Sequence, residues 1–117
     1  EGTLVTLHPD PNLEQSFGEI NYAISMATIE CHFWMNNMFW DDDNWILNNI
    51  EPIKDIPIFI AHGRYDVDCR AIGAWELSKK LNNCELEFLV CGHSSGEPEI
   101  IDALVRATDK FKEVLKK

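Results

Sequence analysis

Two titratable residues directly follow apolar segments of the sequence and could act together in acid–base chemistry. Asp66 closes the stretch His62–Asp66, and His93 lies in the stretch Cys91–Ser94, each of which contains a glycine. An Asp beside a His can accept the imidazole N–H, which fixes the tautomer that a general base needs. The two residues therefore predict a catalytic Asp–His pair if the fold brings their turns together.

The segments around this pair alternate between strand and helix. Ile58–Ala61 predicts a strand that ends near Gly63, and residues 86–91 predict a second strand. Helices are predicted over residues 71–81 and from about Pro98. The apolar stripe of the last helix is predicted to contain Ile101, Leu104, Val105, Thr108, Phe111 and Leu115. This order is typical of a parallel sheet, in which functional groups gather beyond the carboxyl ends of the strands. Two parallel strands need more sheet, so the pattern predicts the end of a longer α/β protein.

The first fifty residues are predicted to be mainly helical. A short β-like run, Thr3–Leu7, comes before a loop with two prolines. Ser16–Glu19 has the S-x-x-E form of a capping box, which predicts a helix from there to about Asn37. Asp41–Asp43 can cap a second, short helix that reaches about Ile50.

The nucleophile of such a site is expected outside this sequence. In the α/β-hydrolase order, the nucleophile precedes both the acid and the histidine, so we expect it upstream of Glu1. Ser94 and Ser95 are too close to His93 to stand on a separate nucleophile elbow, and the sequence has no G-x-S-x-G motif. We interpret these serines as hydrogen-bonding loop residues. The chain alone is therefore expected to be inactive.

A metal site is the other chemistry that these loops could support. The candidate ligands near the strand ends are His62, Cys69, Cys91 and His93. Their spacing fits no recognised zinc pattern, and free cysteines are commonly buried apolar side chains. We therefore predict that the site uses neither a metal ion nor an organic cofactor.

The composition argues against several classes of partner. Lys and Arg number 10 and Asp and Glu number 20, and the resulting net charge of −10 does not suit a nucleic acid. An excess of acidic residues increases solubility, and it also favours the binding of cationic ligands such as a free N-terminal amine. No apolar run approaches the roughly 18 residues of a membrane span. The four cysteines form no C-x-x-C pair, so reduced thiols and a cytoplasmic location are expected.

Four stretches of the sequence resemble the C-terminal part of the proline iminopeptidases, which are serine aminopeptidases that release N-terminal proline. They are HGRYDVDC (62–69), AWEL (74–77), GHSSGEP (92–98) and ALVRATDKF (103–111), and the resemblance extends upstream through SFGE and IECHF. It implies the last two strands and helices of an α/β-hydrolase fold, with Asp66 as the triad acid and His93 as the base. It also implies that residues 1–49 end a helical cap domain and that residues 50–117 belong to the hydrolase core.

The same resemblance implies a binding site for the free α-amine of a peptide that begins with proline. Glutamates of the cap bind this amine in the family; the IECHF stretch places one at Glu30, and the first residues place another at Glu1. A carboxylate in a water-poor cleft pairs well with an ammonium group and disfavours a blocked N-terminus. The sequence departs from the family pattern at Cys31 and Phe33, which bears on substrate preference.

Two other functions are compatible with the same residues. An esterase or epoxide hydrolase of the α/β-hydrolase class would share Asp66 and His93 but would have no use for an amine-binding Glu30. A non-catalytic interaction module would pair an exposed sheet edge with a second copy of itself and form a homodimer. The charge preference of the substrate and the oligomeric state distinguish these alternatives.

Overall fold

The computed structural model describes residues 2–114, which form helices around a parallel pair of strands. The elements are α1 (Pro11–Gly18), α2 (Ile20–Met35), the turn Asn37–Phe39, α3 (Trp45–Asn48), β1 (Ile58–Gly63), α4 (Ala71–Lys80), β2 (Cys84–Leu89) and α5 (Pro98–Val114). None of the helices in this part of the chain has both the length and the apolar character needed to cross a membrane.

The two strands run parallel, as the alternation of strand and helix predicts. Pairing extends from Ile58 opposite Cys84 to Gly63 opposite Leu89. Helix α4 connects the strands, and both α4 and α5 contact each of them. The predicted α/β class is confirmed, and the arrangement agrees with the C-terminal portion of an α/β-hydrolase.

Strand β2 begins two residues before its predicted start and ends two residues before its predicted end. It spans Cys84–Leu89, so it begins among charged residues rather than at the apolar run. Glu85 pairs with Lys110, and Glu87 accepts two hydrogen bonds from Arg106 at 2.8 and 3.1 Å. These ion pairs connect the strand to α5, which explains why glutamates are tolerated there.

The first helix begins at Pro11 and not at Ser16, so the capping-box prediction was wrong. The Asp10 side chain accepts two backbone N–H bonds of the first turn, at 3.0 and 3.2 Å, and Pro11 suits that turn. The Ser16 hydroxyl instead donates to the Leu13 carbonyl at 2.7 Å. Glu19 has an extended backbone and separates α1 from α2.

The β-like run Thr3–Leu7 forms turns and bends, so its interpretation as a strand was also wrong. Its backbone bonds to the loop after β2 rather than to a sheet. The Val5 carbonyl accepts from the N–H groups of His93 at 2.8 Å and Ser94 at 2.7 Å. These residues thus contact the loop after β2 through the Val5 backbone.

A turn with left-handed backbone conformations follows α2. Asn37, Met38 and Phe39 all have positive φ, at 50°, 57° and 59°. Such conformations are unfavourable for residues with a Cβ, so local contacts must compensate. The ring of Phe39 packs edge-on against Phe33, with centroids 5.4 Å apart. Helix α3 follows as predicted, although it is shorter and ends at Asn48.

The buried core centres on the face of α5 that meets the strands. Ile100, Ala103 and Ala107 are buried on this face, and Cys91, in the loop after β2, is fully buried. The predicted stripe of larger residues was wrong in part, because Ile101, Leu104 and Val105 are about half exposed. Small alanines let the helix approach the strands closely, which a stripe chosen by hydrophobicity alone does not indicate. Leu115 lies outside the described residues.

Candidate active site

The structure brings Asp66 and His93 into direct contact at the carboxyl ends of the two strands. Asp66 Oδ2 lies 3.0 Å from His93 Nδ1. A hydrogen bond at Nδ1 leaves Nε2 as the atom that can take up a proton from a nucleophile. The side chain of Asp66 is 5% exposed and that of His93 is 39% exposed. A buried acid and an accessible base are the arrangement that general-base catalysis requires.

The carboxylate of Asp66 is held in place by its own loop. Its Oδ1 atom accepts hydrogen bonds from the backbone N–H groups of Asp68 at 3.0 Å and Cys69 at 2.8 Å. This is the local turn that an Asp side chain forms with residues that follow it. One oxygen is thereby committed to the backbone, and the other remains for the imidazole.

Two glycines allow the acid and base loops to lie against each other. A Cβ added at Gly63 would lie 1.7 Å from the carbonyl oxygen of Gly92, so no side chain fits there. The loops are further joined by bonds from Arg64 N to Leu89 O at 2.7 Å and from Tyr65 N to Cys91 O at 3.1 Å. The 3.0 Å approach of the carboxylate and imidazole therefore depends on this close backbone packing.

His62 supports the acid loop from the strand side. Its Nε2 atom lies 2.9 Å from the Cys69 carbonyl oxygen and 3.9 Å from Asp66 Oδ2. The neutral tautomer with a proton on Nε2 can donate to that carbonyl. The ring also packs edge-on against Phe88, with centroids 6.1 Å apart. His62 thus spans the base of the loop that carries Asp66, a role that differs from the metal ligation considered in the sequence.

A cavity opens beside His93 between the N-terminal segment and the loop after β2. Its volume is about 330 Å³, and it is lined by Val5, Leu13, Phe17, His93, Ser94 and Ser95. Three apolar side chains therefore face the base, which suits a small apolar group of a substrate. Leu13 and Phe17 gave no catalytic signal in the sequence, because apolar residues on a short helix are usually core.

Comparison with known proteins identifies a group of relatives. No protein-family model matches the chain. The chain is 42% identical over 112 residues to a probable proline iminopeptidase of Leptolyngbya boryana, covering 95% of this chain and 35% of that protein. It is 40% identical over 112 residues to the proline iminopeptidase of Xanthomonas citri and 36% identical over 115 residues to that of Arabidopsis thaliana. The chain is a relative of the proline iminopeptidases.

The relationship covers nearly all of this chain but only part of each relative. The alignments span 95% and 96% of the chain and 36% and 30% of the Xanthomonas and Arabidopsis proteins, respectively. The chain therefore spans about a third of the length of the proline iminopeptidases that it matches. Only a few residues of the chain fall outside the 112-residue match with the Leptolyngbya protein.

Glu30, one of the two glutamates expected to bind the amine, lies on an element that does not contact either strand in the described part of the chain. Glu30 is half-buried on α2, and among the described elements α2 packs against α1 and the Asn37–Phe39 turn rather than against either strand. Glu1 lies outside the described residues. The roles that the proline iminopeptidase resemblance implies for Glu30, Glu1, Asp66 and His93 stay predictions.

Two cysteines near the Asp66–His93 pair, Cys69 and Cys91, were candidate metal ligands in the sequence. Ligand atoms of Asp66, Cys69 and His93 lie within 4.8 Å of one another, a grouping that could hold a metal ion. Burial, and then the charges of Asp66 and Asp68, raise the pKa of the Cys69 thiol, which disfavours the thiolate that ligates metals. Cys91, another sequence candidate, is fully buried. The chemistry of these groups therefore favours the acid–base pair.

Ser94 has a structural partner of its own. Its hydroxyl oxygen accepts from the Gly96 N–H at 3.1 Å, and its backbone N–H donates to Val5 O. This agrees with its interpretation as a loop hydrogen-bonding residue. Glu97, which completes the same loop, was noted only as part of the GHSSGEP stretch (92–98) and was given no role; its place before Pro98 at the start of a helix was the available signal.

Proposed function

We propose that this chain forms the C-terminal part of a serine aminopeptidase that releases N-terminal proline from peptides. Asp66 is the triad acid and His93 the base, and the nucleophilic serine lies in preceding chain. The observation that carries the proposal is the 3.0 Å contact between Asp66 and His93 in a chain similar to proline iminopeptidases along 95% of its length. Residues 1–49 would end the cap domain, and residues 50–117 would belong to the core.

The proposed reaction needs only protein groups. The serine oxygen attacks the carbonyl carbon of the N-terminal proline residue, and His93 Nε2 takes the hydroxyl proton. Asp66 stabilises the imidazolium, which then protonates the leaving amine as the peptide C–N bond breaks. Water deprotonated by the same imidazole cleaves the acyl-enzyme and frees proline. Neither a metal ion nor an organic cofactor takes part.

Electrostatics and shape support an N-terminal proline as substrate. The apolar cavity beside His93 suits a pyrrolidine ring, and the net charge of −10 favours a cationic amine. Glu30 and Glu1 are the proposed amine-binding carboxylates. The free cysteines support a cytoplasmic location, where thiols remain reduced.

The substrate preference tests this proposal. The complete protein is expected to hydrolyse a proline aryl-amide with a free amine and to reject its N-acetylated form, because a carboxylate that binds the ammonium group loses its cationic partner when the amine is blocked. Glu30→Gln is expected to lower kcat/KM for the free amine by about 10- to 100-fold, the effect of a lost charge-assisted hydrogen bond. Glu19→Gln, an exposed acid between α1 and α2, serves as the control.

Two results would contradict the proposal that Glu30 helps to bind the α-amine of the substrate. Equal cleavage of the free and blocked substrates would remove the role of Glu30. Hydrolysis of a neutral aryl ester, without hydrolysis of the proline aryl-amide, would favour the esterase alternative, which shares Asp66 and His93. Steady-state kinetics on the three substrates distinguish these cases.

A further inference from the structure

Glu97 is a buried carboxylate that connects two distant parts of the chain. The residue is 9% exposed, and its two oxygens have different partners. Oε1 accepts from the Gly92 N–H at 2.7 Å, and Oε2 accepts from the Leu7 N–H at 3.0 Å, across 90 positions of sequence. The side chain therefore bridges the loop that carries His93 and the N-terminal segment.

The bridge uses both oxygens of the Glu97 carboxylate as hydrogen-bond acceptors. Both oxygens must accept, and only a carboxylate offers two equivalent acceptors. The backbone carbonyl of Glu97 accepts from Ile100 and Ile101 at 3.0 Å, so the residue stands at the first turn of the 17-residue α5. The positive end of that helix and two N–H donors stabilise the buried negative charge. A glutamine would place an NH₂ group against one of the two donors.

The same N-terminal segment holds the backbone of His93. The Val5 carbonyl accepts from both His93 N and Ser94 N, and Val5 is 5% exposed. The segment also lies tightly against Gly92, where an added Cβ would meet Leu7 N at 2.9 Å. Glu97 fixes Gly92 directly and fixes His93 through residues 5–7. The His93 backbone is therefore held by this bridge, while the imidazole contacts Asp66.

We infer that Glu97 is a positioning residue for His93. By tying the Val5–Leu7 segment to the His93 loop, it sets the direction of the imidazole toward Asp66. Val5 also lines the cavity beside His93, so one bridge orients both the base and part of the substrate wall. This inference rests on the proposed function.

Kinetics of the complete enzyme test the inference with a matched pair of variants. Glu97→Gln is expected to lower kcat for the free proline aryl-amide by about 10- to 100-fold, the cost of displacing a catalytic group by about 1 Å. KM should change less than kcat, because Val5 is one of three apolar residues that line the cavity and the proposed amine-binding glutamates are not altered. Glu99→Gln removes the same charge from an exposed position in the same helix turn and should leave kcat unchanged.

A spectroscopic measurement separates positioning from mere stability. The proton between His93 Nδ1 and Asp66 should give a downfield proton resonance in the wild type and in Glu99→Gln, and it should shift or vanish in folded Glu97→Gln. If Glu97→Gln does not fold, Glu97→Asp, whose carboxylate is too short to bridge both donors, should show the same losses. Wild-type kcat and an unchanged resonance in either folded Glu97 variant would overturn the inference. An inactive wild type would instead overturn the proposed function.

Discussion

Asp66→Asn is expected to lower kcat of the complete enzyme by about 10⁴-fold, the loss seen when a triad acid becomes an amide. The amide oxygen can keep the two backbone bonds at the Oδ1 position, so the loop should stay in place. The NH₂ group would then face His93 Nδ1 and force that atom to accept. The proton would move to Nε2, which could no longer take one from the serine.

The measurement is steady-state hydrolysis of the proline aryl-amide by the complete protein. Asp68→Asn is the control, because its side chain is exposed in the same loop and only its backbone N–H contacts Asp66. We expect this control to keep nearly full activity and the Asp66 variant to keep KM within a few-fold. A loss of less than about tenfold in folded Asp66→Asn would contradict the role of Asp66 as the triad acid.

Gly63→Ala is expected to lower the free energy of unfolding by about 3 kcal/mol or more. This is the upper end of the range for substitutions that force an extra carbon into a packed site. The added methyl carbon would lie 1.7 Å from Gly92 O and 2.8 Å from Cys91 O, and both are backbone atoms that cannot rotate away. The strand ends must therefore separate. Because these ends carry Asp66 and His93, activity should fall together with stability.

Urea unfolding of the complete protein measures this effect. Gly73→Ala is the matched control, because nothing lies within 4 Å of a Cβ added at that position in α4. In a helix interior, alanine is more favourable than glycine by about 0.5–1 kcal/mol, so the control should be neutral or stabilising. Equal unfolding midpoints for the wild type and Gly63→Ala would show that the two loops are not in contact.

The pairing of Asp66 with His93 could be predicted from the sequence because it depends on local patterns. Apolar runs that end at glycine mark strand ends, and parallel strands place their carboxyl ends at one edge. The strand, helix and strand around them are regular enough to follow from periodicity. The resemblance to proline iminopeptidases then assigned roles to a pair already expected to meet.

The support of His93 could not be predicted, because it arises from contacts between residues far apart in sequence. Glu97 contacts Leu7 across 90 positions, and no periodicity links the two. The start of α1 was missed because two cap signals competed, and Asp10 followed by Pro11 prevailed over Ser16. The buried face of α5 was missed because close packing favoured Ala103 and Ala107 over larger residues.

The central claim is that His93 activates a serine located outside residues 1–117, and covalent labelling tests it most directly. The complete protein would be treated with a fluorophosphonate, digested, and analysed by mass spectrometry to locate the modified residue. We predict one labelled serine upstream of Glu1, with labelling slowed at least about 10³-fold in His93→Gln because the general base is lost. A label on Ser94 or Ser95, or labelling that does not depend on His93, would contradict the account.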